Sequence, residues 1–216
     1  MNRFWMWRTW RKLGRPASGK IVTHPRLTFE FAAGAELSGR LESAFGDLSR
    51  LSAIDLGCGP SETIVARQVL EVSWRRLISV DAFRPYLGKL RAKTARAARH
   101  DICDMRIPQV FGEYLPGEFD VALLIDVLEH FPRREGLHLL TRLERFVRRG
   151  IVIFSPVGEV AQGALDGNPL QCHRSAWLPG DWTRLGYDVE AYEGFHGQIN
   201  PPATAAWAIK RLKERP

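Results

Sequence analysis

Apolar residues in this chain fall into short continuous runs, separated by longer stretches in which they recur at helical spacing. Leu51 to Leu56, Arg76 to Val80, Phe119 to Ile125 and Gly150 to Ser155 are such runs, too short for helices and bounded by turn residues, and the more polar Ala98 to Ile102 is a further strand-like stretch. Between them the pattern predicts helices over 61–72, 85–97 and 133–148. In the last of these Leu137, Leu140, Leu143 and Val147 form one apolar stripe, and Arg148-Arg149-Gly150 closes it with cations and a glycine. Two further strands are expected at Tyr187–Tyr192 and Ala205–Leu212. Strands that are apolar throughout, not alternately, are strands buried on both faces, so the alternation predicts a mostly parallel α/β sheet covered by helices on either side. Residues 1–47 are expected to form an N-terminal helical extension and residues 48–216 the main domain. Pro156 to Trp182 lacks a clear period and reads as a long loop over the sheet.

Composition agrees with a single globular domain: 216 residues, 45% hydrophobic and 25% charged. No run of about 20 apolar residues is present, so no membrane span is expected. Three cysteines without C-x-x-C spacing argue against a disulfide framework or zinc site and for a cytoplasmic location. The net charge of +7 comes from residues 1–29, which hold seven basic side chains and no acid; the remaining 24 basic and 24 acidic groups cancel. Phe4, Trp5, Trp7 and Trp10 interleave with that charge. Such an arm suits the inner surface of an anionic membrane, single-stranded nucleic acid, or packing over a ligand site or a second copy of the chain. Oligomeric state is left open. The basic residues of the 85–97 segment read as a solvated helix face.

The first strand ends in Asp55-Leu56-Gly57-Cys58-Gly59-Pro60-Ser61. Two glycines bare the backbone at a strand-to-helix turn, where a ligand can lie against the main chain. The dinucleotide fingerprint G-x-G-x-x-G fails because Glu62 stands at its third glycine. An acid just before the glycines suits an ammonium or sulfonium better than a pyrophosphate, which points to S-adenosylmethionine. Asp81 closes the next strand about 20 residues on, the spacing at which a carboxylate meets ribose hydroxyls. Asp101 and Asp126 lie near the ends of the third and fourth strands, so four carboxylates are expected along one edge of the sheet.

This ordered series, with Val80-Asp81, His100-Asp101-Ile102 and Asp126-Val127-Leu128-Glu129-His130, resembles the class I S-adenosylmethionine-dependent methyltransferases over roughly residues 50 to 212. The resemblance implies a Rossmann-like fold: a seven-stranded, mostly parallel sheet with an antiparallel edge strand. It implies that Asp55 and the Gly57/Gly59 backbone hold the methionine part of the cofactor. Asp81 would bind the ribose, and Asp101 with Ile102 the adenine. Cys58, Ala82 and Ile125 complete the cofactor set. Ser61, where many members have a third glycine, is able to cap the following helix and donate to the ligand.

For the acceptor, two places stand out. Asp126, Glu129 and His130 would share one face if a helical turn begins after the fourth strand. The loop segment Asn168-Pro169…His173-Arg174-Ser175-Ala176-Trp177 is similar to segments in bacterial methyltransferases acting on sugars. A sugar hydroxyl is a poor nucleophile, and His130 or His173 is suited to take its proton, with Asp126 beside them. The same Asp-x-x-Glu-His set is similar to metal-binding arrangements in ubiquinone-pathway and small-RNA methyltransferases. That similarity implies Asp126, Glu129, His130 and His173 as ligands of Mg²⁺ or Mn²⁺. The expected function is O-methylation of a hydroxyl on a sugar or other small polar molecule. The alternatives are RNA 2′-O-methylation with a divalent metal and a non-catalytic cofactor-binding interaction protein.

Overall fold

The computed structural model describes residues 20–24, 36–95, 99–196 and 203–213. The basic, tryptophan-bearing arm lies outside the described residues. Eight strands form one sheet in the order β1-β7-β8-β6-β5-β2-β3-β4. They are β1 Ile21–His24, β2 Ser52–Leu56, β3 Arg76–Asp81, β4 His100–Asp104, β5 Val121–Ile125, β6 Gly150–Pro156, β7 Asp188–His196 and β8 Ala203–Arg211. The helices are α1 Glu36–Phe45, α2 Ile64–Glu71, α3 Arg84–Thr94, α4 Val110–Glu113, α5 Arg133–Phe146 and α6 Pro179–Arg184.

The expected mostly parallel, helix-covered sheet is present, and two details differ. The sheet has an eighth strand, because Ile21–His24, within the stretch expected to be helical, pairs parallel with β7 through Ile21 opposite Val189 and Tyr192 opposite His24. Four residues are too few for a periodic signal of their own, and the partner strand supplies the template. The antiparallel strand is β8, and it lies inside the sheet between β6 and β7 instead of at an edge.

The reason for the continuous apolar runs is direct: every residue of β2, β5 and β6 is buried. One face of the sheet packs Leu37, Leu41 and Phe45 of α1 and Val65 and Val69 of α2. Full burial of each leucine contributes roughly 1.5–3 kcal/mol, so α1 is part of the core. The other face packs Leu139, Leu140 and Leu143 of α5 together with Trp177 and Trp182. The α5 stripe is therefore Gly136, Leu139, Leu140, Leu143 and Phe146; Leu137 is only partly buried. The helix stops at Phe146. Arg148 leaves it to pair with the Asp120 carboxylate at 2.8 Å, and Gly150 opens β6. A Cβ at Gly150 would lie 2.5 Å from the Lys210 carbonyl oxygen, so this glycine serves close strand packing, not a helix cap.

The strand order reverses at β2. From there β3 and β4 extend one way, β5 and β6 the other. The connections leaving the C-terminal ends of β2 and β5 therefore diverge and open a crevice between them, the ligand position of open α/β sheets.

Candidate active site

The turn after β2 is built for close backbone approach. Gly57 has φ +70° and Gly59 φ +56°, both in the left-handed region where a side chain is strained. A Cβ on Gly57 would lie 2.8 Å from Cγ2 of Val127, so only glycine fits under the β5 loop. At Gly59 an added Cβ would meet nothing within 4 Å, so the backbone faces open space there. The amides of Gly57 and Cys58 donate to the Val80 carbonyl at 2.8 and 3.1 Å, and the Gly59 amide donates to the Asp81 carboxylate at 3.0 Å. These bonds lock the turn of β2 onto the end of β3. The second Asp81 oxygen accepts from the Phe83 amide at 2.8 Å.

Ser61 also has positive φ (+50°), which explains why a glycine suits this position. It does not cap the following helix. Thr63 does, its hydroxyl accepting from the Ala66 amide, and α2 begins three residues later than the pattern suggested. The Ser61 hydroxyl is buried and has no hydrogen-bond partner among the described residues. Cys58 turns away from the turn and packs on Leu87 and Leu90 of α3; burial, then Asp55 and Asp81, push its thiol well above the usual range.

The carboxylates carry the electrostatic character. Asp55 is 4% exposed. Burial first and the neighbouring Asp81 second raise its pKa to about 7. Burial also raises Asp81, against the amides of Phe83, Gly59 and Ala82. After β5, Asp126 takes a left-handed conformation (φ +53°), and burial raises it to about 7. One of its carboxylate oxygens is buried without a hydrogen-bond partner among the described residues. Ile125, just before it, belongs to the core beneath the turn.

Two expected cofactor residues are not brought to this edge. Asp101 is the second residue of β4, opposite Ile78 in mid-strand, so it lies toward the N-terminal end of the sheet. Its side chain is 65% exposed and faces Arg76. Ile102 packs beside Cys58 and the α3 leucines. The residue that ends β4, directly opposite Asp81, is Asp104. Its carboxylate accepts from the Arg84 guanidinium, and the next amide, Met105, donates to the Asp81 carbonyl at 3.1 Å. The signal was available: the rule of an acid at each strand's C-terminal end selects Asp104 once the strand is placed two residues later. His100 to Asp104 contains two acids in a mixed polar run, and the periodicity does not choose between them.

Asp126, Glu129 and His130 do not share a helical face. Leu128–His130 form a single 3-10 turn, and Asp126 sits outside it with its backbone reversed. Glu129 points into the protein, 2% exposed, and its carboxylate accepts from the Ser155 hydroxyl at 3.0 Å. Burial, then the Asp126 carboxylate, raise it to about 8. The loop after β6 is fastened to this turn: the amides of Arg174 and Ser175 both donate to the Glu129 carbonyl, at 2.8 and 3.1 Å. Trp177 is fully buried, would contact a Cβ at Gly136 of α5 at 2.9 Å, and carries the Arg133 guanidinium on its ring face at 3.8 Å. The segment expected to be a loop is thus an ordered strap.

The strap brings His173 to His130, with ring centroids 5.0 Å apart. Nδ1 of His173 donates to the Val160 carbonyl at 2.6 Å, and Nδ1 of His130 to the Cys172 carbonyl at 3.4 Å. A carbonyl only accepts, so in each neutral ring the proton is on Nδ1 and the lone pair on Nε2. Burial and then His173 depress His130 to about 4, with the carbonyls of Cys172, Asp126 and Gln171 opposing; burial also lowers His173. Both rings are therefore neutral near pH 7. A ring nitrogen of each histidine and a Glu129 carboxylate oxygen lie within 4.8 Å of one another; Asp126, expected as a fourth ligand, is not in that group.

A cavity of about 230 Å³ joins the two halves. Its lining includes Gly57, Asp81, Ala82 and Asp126 together with His130, Asn168, Gln171 and Arg174. Arg106, Ile107 and Pro108, which follow β4, form a further wall that the sequence pattern did not single out.

No protein-family model matches the sequence, and no curated protein does. Solved structures do. The chain is similar to the [4+2]-cyclase SpnF at 13% identity, TM-score 0.62, over 98% of this chain and 96% of that one. It is similar to the 1,6-didemethyltoxoflavin-N1-methyltransferase of Burkholderia thailandensis, solved with S-adenosylhomocysteine, at 17% identity and TM-score 0.60 over 85% and 79% of the two chains. The N-methyltransferase NodS of Bradyrhizobium japonicum WM9 matches at 14% identity and TM-score 0.59 over 82% and 94%. The chain therefore has the Rossmann-like fold of the class I S-adenosylmethionine-dependent methyltransferases. A cyclase among the neighbours means that the fold alone does not assign the reaction.

Proposed function

We propose that this protein is an S-adenosylmethionine-dependent methyltransferase that methylates a hydroxyl of a small polar acceptor, sugar-like in its hydrogen-bonding character. The observation that carries this reading is one cavity lined both by Gly57 and Asp81 and by the polar His130 and Gln171.

The residues present fit the cofactor. Asp55 and Asp81 are buried carboxylates whose pKa values are raised, an environment that a cationic ligand relieves. Ser61 holds an unpartnered buried hydroxyl, and the Gly59 backbone offers room where a side chain would stand. Asp55 and the glycine turn would hold the methionine portion, Asp81 the ribose, and Asp104 with Met105 the adenine side. When bound, the cofactor supplies an electrophilic methyl on a sulfonium. The chain must then align the acceptor in line with that methyl and keep water out. The strap, pinned through Glu129 and Trp177, closes the acceptor end. His130 is neutral at physiological pH and lines that end, so its Nε2 lone pair can meet the hydroxyl that has to shed a proton. Gln171 adds an amide group able to hold a further hydroxyl.

The test is transfer of labelled methyl groups from S-adenosylmethionine to matched panels of saccharides, phenols, amines and RNA. Label on a saccharide or other small hydroxyl acceptor, lost with an excess of S-adenosylhomocysteine, is the expected result. Label on amines or RNA alone would overturn the acceptor assignment, and absence of cofactor binding the whole reading.

A further inference from the structure

We propose that Glu129, His130 and His173 form a binding site for one divalent transition-metal ion, of the Mn²⁺, Fe²⁺ or Zn²⁺ kind. Three donor atoms converge there within 4.8 Å of one another. Both Nδ1–H groups are committed to backbone carbonyls, so what remains on the two rings is two Nε2 lone pairs. The third member is a carboxylate. Two imidazole rings and a carboxyl group able to give up its proton form a donor set that a cation can occupy. Among the described residues, no lysine or arginine forms an ion pair with Glu129; its one side-chain donor is the Ser155 hydroxyl at 3.0 Å.

The surroundings match those of a ligand set. Metal-binding histidines characteristically donate their other ring N–H to a carbonyl or carboxylate, and ligating carboxylates are themselves hydrogen-bonded. Here Val160, Cys172 and Ser155 provide these contacts. The donors come from two segments distant in sequence, yet their relative position is held by main chain: the Arg174 and Ser175 amides both bond to the Glu129 carbonyl. Two imidazoles and one carboxylate favour transition metals over Mg²⁺ and Ca²⁺, which take oxygen donors. On this reading Mn²⁺ is favoured over Mg²⁺, and Asp126 lies outside the three-residue set. Three protein ligands leave a coordination position open, as in catalytic sites. His130 lines the acceptor cavity, so with the ion bound its Nε2 would be a ligand in place of the base, and the open position would serve the acceptor hydroxyl, whose proton becomes more acidic on a metal. That catalytic role rests on the methyl-transfer reading above; metal binding does not.

The test uses the full chain, free of any affinity tag and stripped with chelator. Mn²⁺ is titrated while the electron paramagnetic resonance signal of the free aquo ion is followed, and Zn²⁺ is titrated by calorimetry. One saturable equivalent is expected in the absence of cofactor and acceptor. His173→Ala, a change in the strap, is expected to weaken it at least about tenfold while circular dichroism and S-adenosylhomocysteine affinity stay at wild-type values. Ser155→Ala, which keeps all three ligands, is expected to weaken it by about 10–100-fold. A wild-type chain that takes up no saturable Mn²⁺ or Zn²⁺, or a folded His173→Ala protein that binds as tightly as wild type, would overturn the proposal. Either result leaves the methyl-transfer assay free to succeed or fail by itself.

Discussion

Cofactor affinity should depend on pH through Asp55, and the size of the effect follows from its burial. The free protein holds this carboxyl at a pKa of about 7, raised by desolvation and then by Asp81. A cationic ligand favours the ionised form, so its pKa falls in the complex and binding releases a proton. Affinity is therefore gained as pH rises through 7 and lost below it. With ligand taken up only by the ionised form, the apparent Kd scales as 1 + 10^(7−pH). It is about twofold above its plateau at pH 7, about 11-fold at pH 6 and roughly 30-fold at pH 5.5. Asp81, whose pKa is also raised, steepens the acid limb without changing its sign. Calorimetry with S-adenosylhomocysteine between pH 5.5 and 8 measures this directly. Repeating the pH 7 titration in buffers of different ionisation enthalpy should reveal release of about half a proton per complex from Asp55. Asp55→Asn should flatten the Asp55 part of the profile and weaken binding at pH 8 by about 10–150-fold, the equivalent of roughly 1.5–3 kcal/mol for a charge-assisted contact. A wild-type Kd constant from pH 5.5 to 8, or an Asp55→Asn profile that overlays it, would refute the reasoning.

Gly57→Ala places a Cβ at positive φ and 2.8 Å from Val127. It should cost about 1–3 kcal/mol, a fall of roughly 2–12 °C in the thermal midpoint, and an unchanged midpoint would mean that the turn tolerates a side chain. Asp104→Ala should reduce S-adenosylhomocysteine affinity while Asp101→Ala leaves it alone, because only Asp104 stands opposite Asp81; titration of both variants decides, and the reverse order would restore the sequence-based assignment. His130→Ala should lower the methyl-transfer rate by about 10²–10⁴ with cofactor affinity retained, as measured by single-turnover transfer and calorimetry. Wild-type turnover in that variant would leave alignment alone as the source of rate.

The sheet core was legible in the sequence because burial on both faces leaves a chemical trace. Every position of β2, β5 and β6 except Asp55 is apolar or small, and the runs announce it. The glycine turn was legible for a related reason, since positive φ and close approach at Gly57 exclude other residues locally. What depends on a partner distant in the chain left no such trace. β1 exists because β7 offers an edge, and β8 became an interior strand because β1 and β7 continue the sheet beyond it. The choice of Asp104 over Asp101 is a matter of register against β3, two residues of slip that the local pattern does not resolve. The sequence named Glu129, His130 and His173, yet offered Glu129 and His130 as neighbours of Asp126 on one helical face. The 3-10 turn, the reversed backbone at Asp126 and the two amides that tie the strap to the Glu129 carbonyl decided otherwise. Side-chain identity is written in the chain; which side chains meet is decided by main-chain bonds between segments distant in sequence, Arg174 and Ser175 to Glu129.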